Sequence, residues 1–216
     1  MAGSIEVRDM AIIHRTFRNA FEESAGLVRA APTPSTERVA FLADHIDFAV
    51  TMLHLHHASE DELLFPVLLE RAPEHAATTS RVEAQHQQVS AAVATVEAAC
   101  RAWRSQPAAT TAQALADALL ALNETLQRHL DDEESEVVPL AAVTLTQAEW
   151  DAVGAHSRAG IPRDKMPIAF GMITEPLDDA DRAYMKSHLP APIRLLYGPL
   201  IQRPWNKYAE TLRHGR

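Results

Sequence analysis

The sequence predicts an all-α protein, an antiparallel up-down-up-down four-helix bundle with an additional C-terminal helical extension. Three observations carry this expectation. Only 7 glycines occur in 216 residues while alanine is abundant, a composition that favours helix over sheet. Clusters of Pro, Ser and Thr at residues 31–36, 71–79 and 105–111 cut the first two-thirds of the chain into four long pieces. Within each piece apolar residues recur at spacings of three and four, the period of a helix with one buried face.

The first piece carries Met10, Ile13, Phe17 and Phe21 on such a stripe. The second carries Phe41, Leu42, Phe48, Met52, Leu53, Leu63, Leu64 and Val67. Val82, Val89, Val93 and Val96 mark the third, and Leu115, Leu119, Leu122, Leu126, Val137 and Leu140 the fourth. Short connections make successive helices antiparallel neighbours. Beyond Leu145 the pattern changes. TQAE at 146–149 has the form of a capping box and opens a further helix. A Pro- and Gly-containing loop is expected from Gly160 to Pro176, then a short helix near Asp179 to His188. After Pro190 and Pro192 a last segment runs from Arg194 to Leu212. The expected division is a bundle over residues 1–145 and a helical extension packed on it over 146–216.

Composition excludes several function classes. A net charge of −9 with no basic run argues against nucleic acid or an anionic membrane surface as partner. The single cysteine, Cys100, excludes an internal disulfide framework and suits a reducing compartment. The N-terminal MAGSIEVRDM has no apolar core of a secretory signal, and no stretch approaches the roughly 18 to 20 apolar residues of a membrane span. The expectation is a soluble, cytoplasmic protein.

Chemistry is concentrated in HHASEDELLFPVL (56–68), which aligns with HLDDEESEVVPLA (129–141). Both read His-x-x-x-Glu, with Pro ten residues after the His: His56, Glu60 and Pro66 match His129, Glu133 and Pro139. The alignment places His57 over Leu130 and His54 over Gln127, so it selects His56. His14 and His86 sit in the apolar stripes of the first and third helices. Their spacings to His56 and His129 are 42 and 43 residues, so the chain reads as two helical hairpins in tandem. Residues four apart share a helix face about 6 Å apart along the axis. Four imidazoles and two carboxylates converging inside a bundle form a dinuclear metal site. Nitrogen and oxygen donors without thiolate suit iron or manganese and tolerate zinc. A lone core histidine is more often structural, but six such groups on buried stripes would be left unpaired without metal. His45 is expected in the core or at a helix end, while His54, His57, His75, His156, His188 and His214 are expected at the surface or in the tail. Asp61 and Glu134 are expected to face outward.

These motifs resemble the hemerythrin-like HHE cation-binding domains. The resemblance covers about residues 8 to 142 and rests on His14, His56-x-x-x-Glu60 followed by LFP, His86, and His129-x-x-x-Glu133. The tail, with GMITEPLDDADRAYM and LPAPIRLLYGPL, also resembles extensions of some actinobacterial members. The resemblance implies two irons bridged by Glu60 and Glu133 and by an oxo or hydroxo group, with His14, His56, His86 and His129 as terminal ligands. Two departures stand out. Oxygen carriers of the family have His-x-x-x-His on the third helix, whereas Val82 and Ser90 flank His86 here. The carriers also space their last pair as His-x-x-x-x-Asp, an offset that falls on Glu134 and makes it the competitor of Glu133. A ferritin-like di-iron bundle needs two Glu-x-x-His motifs, and only Glu83 with His86 fits. The function implied is a non-haem di-iron protein that reacts with hydrogen peroxide or dioxygen, with catalase-like or oxidase activity. The alternatives are a binder or sensor of O2, NO or iron, and an oxidative enzyme for an organic substrate in which the tail forms a pocket or lid.

Overall fold

The computed structural model describes residues 4–31 and 34–215. Pro32 and Thr33 of the first break, and Met1 to Gly3 of the N-terminal segment, lie outside the described residues. The four long helices are α1 (Arg8–Ala30), α2 (Thr36–Leu63), α4 (Ala76–Ser105) and α5 (Ala109–Asp132). Each packs against two others, in the cyclic order α1, α2, α4, α5, which makes a four-helix bundle. Between α2 and α4 lies the short α3 (Phe65–Arg71), and α6 (Val138–Thr144) follows α5.

The expected breaks have local causes. Ser35 accepts a hydrogen bond from the Arg38 backbone N–H and so caps α2. Pro66 has no N–H to offer the carbonyl four residues back, and α2 gives way to α3 at Leu64. At the matching place in the second hairpin, Pro139 has the same defect. There the chain makes a π turn over Glu133–Val137, closed by the Val138 N–H on the Glu133 carbonyl. The uninterrupted fourth stripe expected through Leu140 is thus a helix with a π insertion, and the insertion begins at Glu133.

Two apolar clusters fill the interior. The larger holds Phe17, Phe21, Leu42, Ile46, Leu53, Val93, Trp103, Leu115 and Leu119. The smaller holds Met10, Leu64, Phe65, Leu68, Val82, Val137, Trp150 and Val153. On every long helix buried polar residues lie between the two clusters: His14; His56, His57, Ser59 and Glu60; His86; and His129, with Glu133 just beyond α5. The fold therefore stacks a buried polar layer between two dry ones.

The chain after Leu145 is helical and lies against the bundle. Thr146 and Glu149 form the expected capping box at the start of α7 (Gln147–Ala159), which packs along α2. The expected loop from Gly160 to Pro176 instead contains a helix, α8 (Met166–Thr174). Its Pro167 occupies the first turn, where a missing N–H costs nothing, so proline there marks a start rather than a loop. α9 (Asp179–Ser187) falls where the short helix was expected. The last segment is α10 (Ala191–Leu195), a π turn over Gly198–Gln202 and α11 (Arg203–His214). Ala169, Met172 and Ile173 of α8, and Trp205, Ala209 and Leu212 of α11, join the larger apolar cluster of the bundle. Arg38 of α2 donates to the Thr211 carbonyl at 2.7 Å. No helix among the described residues is long and apolar enough to cross a membrane.

Candidate metal centre

The polar layer gathers its side chains into two adjoining groups. His14, His56, Glu60 and Glu133 form one, and His57, His86 and His129 the other. Within each group the potential ligand atoms lie within 4.8 Å of one another. Both carboxylates reach across the boundary. Glu60 Oε1 is 3.1 Å from His56 Nε2, while its Oε2 is 3.7 Å from His86 Nε2. Glu133 Oε2 is 3.4 Å from His14 Nε2 and 3.7 Å from His129 Nε2. Atoms bound about 2.1 Å from a common ion, roughly at right angles, would lie about 3 Å apart. Modest closure would bring these pairs to that spacing.

The outer nitrogens of three imidazoles are already engaged. His14 Nδ1 donates to Glu134 Oε1 at 2.8 Å, and His86 Nδ1 donates to Asp61 Oδ1 at 2.7 Å. His129 Nδ1 lies 3.3 Å from Gln85 Oε1. A proton held at Nδ1 leaves the Nε2 lone pair pointing inward, which is how a histidine is prepared for a metal. Arg18 also binds Glu134, at 2.8 Å, and fixes that carboxylate in turn. Glu134 and Asp61 are thus partly exposed, as the sequence suggested, yet they grip the ring edges of the layer.

The inner atoms are different. Nε2 of His14, His56, His57, His86 and His129, and both oxygens of Glu60 and Glu133, are buried without a hydrogen-bond partner. Buried polar atoms are rarely left so, and this many together would be strongly destabilising. Charge tells the same story. Burial, reinforced by the Glu133 carboxylate, pushes Glu60 well above the usual carboxylate range. Burial opposes ionisation of Glu133 as well, but the imidazole of His14 and its neighbours outweigh it and hold Glu133 at about 2. Burial and the neighbouring rings push His56 and His57 far below the ordinary histidine value, and His129 down to about 4. His14 is raised, because Glu133 and Glu134 overcome its burial. Buried imidazoles, most of them held toward the neutral form, beside two buried carboxyl groups are a donor set suited to a pair of metal ions.

The chain matches the hemerythrin HHE cation binding domain over residues 6–141. It belongs to the hemerythrin HHE family. No curated protein and no solved structure matches it significantly. The four-helix bundle and the two groups capable of holding a metal pair are what a hemerythrin-type chain should present.

All six residues singled out in the sequence, His14, His56, Glu60, His86, His129 and Glu133, lie in the polar layer. The carboxylate in the layer is Glu133, while Glu134 sits on the far side of the His14 ring. His57 is the correction. Expected at the surface, it is buried, stacks on His86 at 4.0 Å between ring centres, and stands edge-on to His129 at 5.1 Å. This hemerythrin-type layer therefore contains a fifth imidazole, but α2 supplies it and α4 does not. The repeat concealed it, because its counterpart is Leu130. His54, His75, His156, His188 and His214 are exposed as expected. His45 is buried away from the layer, with Nδ1 3.0 Å from the Tyr208 hydroxyl.

Proposed function

We propose that the chain is a non-haem di-iron protein that reacts with hydrogen peroxide or dioxygen. The observation that carries this reading is the asymmetry of the polar layer: three imidazoles in one group, two in the other, and two carboxylates reaching both. In this reading His57, His86 and His129 would hold one ion and His14 and His56 the other, with Glu60 and Glu133 as carboxylates within reach of both groups. Iron in such a setting supplies the redox chemistry, with manganese or zinc as the other ions the donors accept.

The chain's own contribution is positional. Asp61 and Glu134 keep a proton on the outer nitrogen of His86 and His14, which fixes ring orientation and raises donor strength. Phe17 against His56 and Phe65 against His86 exclude water from the layer. Having only two imidazoles, the His14–His56 side offers fewer protein donors. It is the side that would leave room for a small molecule.

The fifth imidazole also supports a second reading. Five histidines are the count expected of a reversible oxygen carrier, so binding of O2 or NO without turnover becomes a direct rival. Metal analysis of the purified protein, with visible spectra before and after peroxide, separates the two. The proposal expects about two irons per chain and catalytic loss of peroxide. A stable spectral adduct without peroxide consumption would establish the carrier reading. A colourless, zinc-filled protein would overturn both.

A further inference from the structure

An apolar cavity of about 240 Å³ lies against His56 of the polar layer. Residues of α1, α2, α7, α8 and α9 wall it, so the bundle alone does not make it. Phe17, Met52 and His56 line one part, and Phe170, Ile173 and Met185 face it from the C-terminal helices. His56 belongs to the metal-binding layer and lies 5.3 Å from Phe17, ring centre to ring centre.

The cavity has two unlike ends. Asp9, Ile13 and Phe17 all line it from α1, and eight residues of helix span about 12 Å. Phe17 and His56 mark one end. At the other, Asp9 accepts a hydrogen bond from Trp150 Nε1 at 2.9 Å, and Arg158 and His188 also line the wall. Burial raises the pKa of Asp9 despite the Trp150 hydrogen bond. Peroxide or dioxygen alone does not account for such a space. Each needs roughly the volume of one water, about 30 Å³, and an apolar cavity of about 150 Å³ already accepts benzene. Four of the six methionines, Met10, Met52, Met166 and Met185, line this one cavity. Flexible thioethers of that kind adapt to the shape of an apolar guest.

We infer that this cavity is a binding site for a small, elongated, largely apolar organic molecule carrying one hydrogen-bonding group. Its polar end meets Asp9, Arg158 and His188, and its apolar end lies against Phe17 and the imidazole of His56. The role of such a molecule as the substrate of the centre rests on the di-iron reading, whereas the binding site does not.

The test uses the full chain, iron-free and iron-loaded, titrated with 4-propylphenol, indole and 1-hexanol. In the iron-free protein carrying methyl-13C methionine, at least one probe should bind saturably. It should shift the NMR signals of Met10, Met52, Met166 and Met185 and spare Met172, which lies outside the cavity. Ile161→Trp and Met185→Trp fill the space and should weaken binding tenfold or more at unchanged iron content. In the iron-loaded protein the bound probe should alter the visible spectrum. Failure of all three probes to bind, or binding that leaves those four methyl signals in place, overturns the site. Binding that leaves the iron spectrum unchanged overturns its placement against the metal. A chain that binds the probes at these methyls yet takes up no iron keeps the site and removes the di-iron reading. A chain that takes up iron and consumes peroxide but binds no probe does the reverse.

Discussion

At the scale of single residues, His57 departs from its expected place at the surface and joins the buried imidazoles. The internal repeat correctly brought six residues to one layer, because residues four apart share a face and a repeated motif repeats that face. It rejected His57 on the assumption that α2 has one narrow buried stripe. In the structure α4 and α5 cover a second side of α2 at this level: His57 meets His86 and His129 while His56 meets His14 and Phe17, so neighbouring positions some 100° apart are both buried. Nothing in the local sequence signals that second cover. The expected consequence is that His57→Ala loses about one of two metal ions while His54→Ala keeps both, as metal analysis of the purified variants would show. His45 carries a separate consequence. Burial, helped by the Arg213 cation, lowers its pKa to about 4, so the folded state resists a proton that the unfolded chain accepts near 6.5. Its stabilising effect is complete above about pH 6.5 and is lost as pH falls from there to about 4. Over that interval the wild type should lose up to about 3 kcal/mol more stability than His45→Gln, measured by denaturant titration of the metal-free proteins.

At the scale of elements, the long helices were legible and the short ones less so. Four stripes at helical period over 25 to 30 residues leave little choice of conformation, and the capping box at Thr146 fixed the start of α7. α8 was hidden because its proline and glycine both read as breakers. Pro167 sits in the first turn, and Gly171 is needed for contact rather than for flexibility. A Cβ on Gly171 would come within 2.3 Å of the Trp205 ring. Gly171→Ala should therefore separate α11 from α8 and cost about 1 to 3 kcal/mol in thermal or chemical denaturation, although alanine is the better helix former. The π turn at Glu133 was equally hidden. Pro139 announces a disturbed ladder but not whether the chain breaks, as it does just before Pro66, or takes up an extra residue.

At the scale of the whole molecule, the tail and the bundle share one apolar cluster, and the metal-binding layer lies beneath it with no inner donor atom exposed. The sequence pointed to an extension packed on the bundle and offered a tail-formed pocket as one alternative, but not the lining of the cavity between them, since that depends on side chains from five helices meeting. The two dry layers on either side of the polar one have a kinetic consequence. An ion held there is screened from a bulky scavenger, since every inner donor atom is buried and the helices must part to admit a chelator. Release to a strong chelator should then be timed by the protein: the rate should level off as chelator is raised and should rise steeply with temperature, as unfolding does. Absorbance during transfer of iron to a coloured chelator would follow it. A rate that keeps climbing in proportion to chelator would mean that the layer is open to solvent on the time scale of diffusion.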